Sequence, residues 1–196
     1  MKRLTRISLL ELKFVITKIN KIKKNTMSSI QQMPADARVW VFQSNRVLCE
    51  VEINAIEKAG LQFIANWTAH GASLKASFDI LYNHFIIISV DEKQAAAGGC
   101  SVDKAIHFIK ELEKQFNINL LDRMEVAYRK GNEIKTCHLN NLLNELTASG
   151  LYSEKGNNSG LDELIVFNNM VITKKQFDNE WEVPLKKSWQ SRVLQS

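Results

Sequence analysis

The chain has 196 residues, 45% of them hydrophobic and 24% charged, which is long enough for one domain with a substantial core and has the composition of an ordinary soluble globule. Its formal net charge of +5 points first towards nucleic acid or an anionic surface. Residues 1–33, however, carry eight basic side chains and one acid, and the remainder is mildly acidic, so the body has no basic footprint for nucleic acid.

The apolar run ISLLELKFVITK (7–18) is interrupted by Glu11 and Lys13. It is too short and too charged to span a bilayer and lacks a signal-peptide cleavage pattern. Leu12, Val15, Ile16, Ile19 and Ile22 share a helical face edged by lysines, the pattern of a helix lying on a membrane surface. The competing expectation is that Met27 or Met33 is the true first residue, since MPADARVW (33–40) reads as the opening of a domain. The expected organisation is a basic extension over 1–32 and a single domain over 33–196.

RVWVFQ (Arg38–Gln43) alternates and is rich in β-branched and aromatic residues, which predicts a strand. A helix is expected from about Glu52 to Trp67, with Ile53, Ile56, Gly60, Phe63, Ile64 and Trp67 on one stripe. Thr68–Gly71 reads as the loop that ends it. Leu74–Ile80 and Phe85–Val90 predict two strands, the second apolar enough to be buried on both faces.

Gly98-Gly99-Cys100-Ser101 then opens a second helix, with Ser101 as the expected N-cap and Val102, Ala105, Ile106, Ile109, Leu112 and Phe116 on its core face. Met124–Arg129 and Glu133–Leu139 flank a glycine-containing turn and predict a hairpin. A short leucine-rich helix, a polar loop over 153–163 and a strand over Leu164–Val171 follow. Thr173 is expected to cap a short helix towards Trp181 that Pro184 stops. The order β-α-β-β-α-β predicts an α+β fold. Two main helices pack on a mixed or antiparallel sheet related to the ferredoxin-like arrangement, with a hairpin and short helices appended.

The 98–101 junction is the first candidate site. Helix N-termini present free amides and partial positive charge, which favour a thiolate at Cys100 or an anion cradled by Gly98, Gly99 and Ser101. The helix end contributes only about 0.3–1 kcal/mol at an exposed site, against about 1.36 kcal/mol for one pKa unit. A reactive Cys100 therefore needs a neighbour such as His70, His84 or Lys104.

FIIISVDE (85–92) resembles a Walker B strand ending in Asp91 and Glu92. The phosphate loop that must accompany it is absent, since none of the eight glycines precedes a lysine. The cysteines Cys49, Cys100 and Cys137 and the histidines His70, His84, His107 and His138 show no metal-ligand spacing. No metal or other cofactor is expected. Three scattered cysteines without a secretory signal fit reduced thiols in a cytoplasmic setting. Asp103 and His107, four apart on the wet face of the second helix, form a possible acid–base couple whose ordinary role is solubility. Trp181 and Trp189 straddle Pro184 in WEVPLKKSW, which would let the C-terminal tail clamp the body or contact a protein partner or second copy.

PADARVWVFQSNR, NWTAHG, LYNHFIIISVDE, GCSVDKAIHFIKELEKQF, IVFNN and WEVPLKKSW together resemble a family of small Bacteroidota proteins from about residue 33 onward. Members of that family carry the label "ABC transporter ATPase". The label implies ATP hydrolysis, but this chain lacks both the phosphate loop and the LSGGQ-type signature that such an ATPase requires, and the resemblance supplies no catalytic residues. The expectation is a binding or adaptor protein using the Trp181–Pro184–Trp189 tail. The alternative is a small enzyme or anion sensor using the Gly98–Ser101 junction with His70.

Overall fold

The computed structural model describes residues 29–153, 159–161 and 164–194. The amphipathic pattern of residues 7–22 lies outside them, as do 154–158 and 162–163 of the expected polar loop. In chain order the elements are β1 (Arg38–Gln43), α1 (Glu50–Ala65), β2 (Thr68–Ala69), β3 (Ala72–Ser73), β4 (Lys75–Leu81), β5 (Phe85–Asp91) and α2 (Gly99–Phe116). They continue with β6 (Glu125–Lys130), β7 (Glu133–His138), α3 (Leu142–Ala148), β8 (Ile165–Phe167), α4 (Lys174–Glu180) and β9 (Glu182–Pro184). The fold is α+β, and every strand pairing among the described residues is antiparallel.

The first sheet has the order β1-β5-β4. Because β1 and β4 each run antiparallel to β5, they are parallel to one another and are linked across α1. FIIISVD is apolar on both faces, and all seven residues of β5 are buried. Ile86, Ile88 and Val90 join the core beneath α1 and α2, while Phe85 and Ile87 join a second core on the other face. Both helices keep the stripes expected of them, with Ile56 and Gly60 buried in α1 and Ala105, Ile109 and Leu112 in α2.

The second sheet, β7-β6-β8-β9, covers the other face. Its side chains alternate as a two-sided sheet requires. Ala127 and Phe167 face the first sheet, whereas Val126, Tyr128 and Val166 face Leu142 and Leu146 of α3. The expected single ferredoxin-like sheet differs from this at one point. A ferredoxin-like sheet would place β6, the strand after α2, on the outer edge of β1; here β6 pairs instead with β7 and β8, and that edge of β1 carries only the bridge from Arg38 to Thr173 among the described residues.

Three local features also depart from expectation. Thr68–Gly71 is half of a tight ribbon, β2–β3, whose turn residues His70 and Gly71 both take positive φ, 50° and 83°. The helix α2 begins earlier than Ser101, with Gly98 as its N-cap. The packed body also reaches upstream of Met33: Ile30 is fully buried in the second core, and the Asp79 carboxylate accepts the backbone N–H of Ser29 at 2.7 Å and of Ile30 at 2.9 Å. No helix among the described residues is long and apolar enough to cross a membrane.

Candidate functional site

The α2 junction is a corner built around Ser101. Its hydroxyl is buried and donates to Thr68 O at 3.1 Å, and its carbonyl accepts the indole N–H of Trp67 at 2.9 Å. Ser101 thus ties α2 to β2 and caps nothing. Cys100 is exposed. The ribbon does bring His70 to this corner, with its Nε2 4.0 Å from where a Cβ on Gly98 would stand, and the space beside Gly99 is open. No hydrogen bond joins Cys100 to an imidazole among the described residues. His84 lies elsewhere, buried, with Nδ1–H donating to Tyr82 O at 3.1 Å and its pKa pushed down by burial. His107 stands 3.3 Å from Glu111 rather than pairing with Asp103, and both partners are exposed.

The acids of the Walker-B-like strand are engaged in structural bonds. Asp91 accepts from Lys75 Nζ at 3.0 Å, which holds its carboxyl below the usual range, and Glu92 accepts the backbone N–H of Ala97 at 3.0 Å. Among the described residues, no group of three His, Cys, Asp or Glu side chains is placed to hold a metal ion.

The C-terminal tail clamps the body of its own chain. Trp181 is buried, with ring centroids 4.5 Å from Phe177 and 5.1 Å from both Phe85 and Phe167. Pro184 sits in β9 opposite Ile165. These two residues are therefore core and sheet rather than an exposed contact surface. Trp189 differs: it is 37% exposed and lines a cleft.

That cleft, of about 240 Å³, runs along the outer edge of β1. Ile106 of α2 and Leu120–Arg123 line it, as do Phe167, the 169–172 segment, Trp189 and Gln190. Beside it, Met170 and Ile172 are 58% and 63% exposed, so apolar side chains surround its mouth. The register places Arg38, Trp40 and Phe42 in hydrogen-bonded pairs with β5, since Ser44 N–H donates to His84 O in the same phase. Val39, Val41 and Gln43 consequently aim their backbone groups away from the sheet. Val39 N–H is taken by Ile172 O at 3.0 Å, after which the 168–172 segment diverges. The outward N–H and C=O of Val41 have no partner among the described residues.

Two buried amides complete the cleft. Gln43 is 4% and Gln190 2% exposed, and Gln43 Nε2 and Gln190 Oε1 are the buried side-chain atoms left without a hydrogen bond among the described residues. Their polarity follows from their other ends. Trp181 Nε1–H, a donor only, bonds Asn169 Oδ1 at 3.1 Å, so Asn169 Nδ2–H donates to Gln43 Oε1 at 2.7 Å and Gln43 Nε2 is left as a free donor. Gln190 Nε2–H donates to Phe167 O at 3.2 Å, leaving Oε1 as a free acceptor. A buried unsatisfied polar group costs about 1–3 kcal/mol, and these two belong to residues that line one cleft. From sequence alone Gln43 reads as the last residue of a strand and Gln190 as part of a tail, and Trp189 is the cleft residue that the sequence marks as a contact candidate. No family model, curated protein or solved structure matches this chain.

Proposed function

We propose that the chain is a non-catalytic binding protein whose ligand occupies the cleft along the open edge of β1. The observation that carries this reading is the pair of orphaned amide atoms, Gln43 Nε2 and Gln190 Oε1, on residues lining one cleft with apolar walls. A few convergent polar groups in an otherwise apolar cavity are the usual composition of a small-ligand site. The volume lies below the roughly 300–1,000 Å³ of drug-sized sites, which suits a small ligand or a short segment of a larger one. Nucleotide hydrolysis is not part of this reading, because Asp91 and Glu92 are held in structural bonds and the chain has no phosphate loop.

The α2 junction supports a second, weaker reading as an anion sensor, favoured by the approach of His70 to Gly98. An NMR screen of the full chain against separate amide, carboxylate, phosphate and ammonium fragments discriminates the two. Shifts centred on Val41, the Gln43 side-chain amide and the Trp189 indole support the cleft. Shifts confined to His70, Gly99 and Cys100 with phosphate or carboxylate replace it with the junction.

A further inference from the structure

The geometry points to an extended peptide segment with an apolar side chain as the ligand class of this cleft, an inference that rests on the cleft being the binding site. A peptide residue facing an edge strand exchanges two hydrogen bonds with the residue opposite, its N–H to the carbonyl and its C=O to the amide. Val41 lines the cleft, and its outward N–H and C=O have no partner among the described residues. Gln43 Nε2–H and Gln190 Oε1, buried on cleft-lining residues, would add one more donor and one more acceptor once turned into the cleft. Two successive peptide units carry two donors and two acceptors, and this set matches them in kind and number.

The charge balance agrees. Arg123 is the one cation among the cleft-lining residues, and Asp122 and Glu125 line the cleft beside it. A phosphate or sulfate needs several donors or cations converging on it, and the cleft offers acceptors as readily as donors. A metal ion would want carboxylates converging, whereas burial and the charge of Asp122 push the Glu125 carboxyl up. A neutral amide backbone is what remains.

The side chain of the residue opposite Val41 would lie on Val41's own side of the strand, towards Phe167 and Val171, which calls for an apolar residue. The continuing chain would leave across Met170, Ile172 and Trp189, which are exposed apolar side chains around the cleft. Asn169 and Met170 turn away from β1 where the ladder would have continued, because Met170 N–H is taken by Asn168 Oδ1 and Ile172 N–H by Gln176 Oε1. Among the described residues this leaves a gap in the strand pairing beside Val41.

The test is an NMR titration of the full chain with N-acetyl-leucine-N-methylamide and with its ester analogue, in which oxygen replaces the leucine N–H. The inference predicts saturable shifts of the Val41 amide and the Gln43 side-chain amide with the first probe. Binding of the ester should be weaker by about three- to tenfold, the loss of one hydrogen bond, and Gln190→Leu should weaken the amide probe similarly while Val47→Ala, on an exposed site elsewhere, leaves it unchanged. Equal binding of amide and ester would overturn strand pairing while leaving the cleft as a site. Failure of every amide and apolar fragment to perturb the cleft, with a single ordered water bridging the two glutamines, would overturn both. Concentration-dependent dimerisation that protects the Val41 amide would overturn the peptide in favour of a second copy of the chain.

Discussion

The indole N–H of Trp181 holds Asn169 Oδ1 at 3.1 Å, and this bond sets the direction of a relay that ends in the cleft. Trp181 does not line the cleft, yet its donor decides which end of the Asn169 amide faces Gln43. Trp181→Phe keeps most of the ring packing and removes the donor. It should destabilise the protein by about 1–3 kcal/mol in denaturant unfolding. It should also broaden the Gln43 side-chain amide resonances, because Asn169 is then free to turn over. Unchanged resonances with the same loss of stability would show that the relay is not set by Trp181.

Helix α1 lies so close to β4 at Gly60 that an added Cβ would stand 2.3 Å from the Phe78 ring. That ring is itself buried and packs edge-on to Phe108 with centroids 6.1 Å apart, leaving it nowhere to go. Helix propensity favours Gly60→Ala by up to about 1 kcal/mol, and overpacking costs about 1–3 kcal/mol. The clash should win, lowering stability by about 1–2 kcal/mol, and Phe78→Leu in the same chain should recover most of it.

Arg46 and Glu52 form a bidentate pair at 3.0 and 2.8 Å, and Arg46 also donates to Phe116 O at 2.9 Å, tying the start of α1 to the end of α2. Hydrogen bonds from Arg46 and from the Cys49 backbone hold the Glu52 carboxyl at about 2, below the ordinary 4.5. A carboxylate whose folded pKa is depressed contributes stability that is complete above the unfolded value and is lost as pH falls through the folded one. Glu52→Gln should therefore cost about 1–2 kcal/mol at neutral pH. The difference from the native chain should shrink between pH 4.5 and 2. A pH-independent difference would mean that the pair is not the source.

The three thiols should separate in alkylation. Burial, with Glu145 and Glu125 nearby, pushes Cys137 up to about 11, while Cys49 and Cys100 are exposed. Iodoacetamide near neutral pH should label Cys49 and Cys100 and spare Cys137 until the protein unfolds. Early labelling of Cys137 would mean that β7 opens locally under native conditions.

Periodicity carried the two long helices and the strands of the first sheet, because each depends on residues within one turn or one pleat of each other. Ser101 misled because a serine among glycines has the local look of a cap, and only the position of Thr68 reveals that its hydroxyl is spent across a tertiary contact. The departure of β6 into a second sheet was not legible either, since its pairing with β8 joins segments far apart in the chain and no local pattern records it. The cleft is the extreme case. Its two amides come from opposite ends of the domain, and their meaning lies in bonds they lack, which no local pattern records. Trp181 and Trp189 read alike in the sequence, as aromatics that clamp the body or meet a partner, and only the packing of Phe85 and Phe167 around Trp181 separates the buried one from the exposed one.

The most direct test of the cleft as the working site is the unfolding free energy of the Gln43→Leu/Gln190→Leu double variant, read beside its affinity for N-acetyl-leucine-N-methylamide. The substitutions remove two unsatisfied buried atoms but leave Asn169 Nδ2–H and the Phe167 carbonyl without these partners, terms of about 1–3 kcal/mol each that roughly offset. The account predicts stability within about 1 kcal/mol of the native chain or above it, with binding of the probe abolished. A large loss of stability with binding intact would show that the glutamines are there to hold the fold and that the cleft is not where this protein meets its ligand.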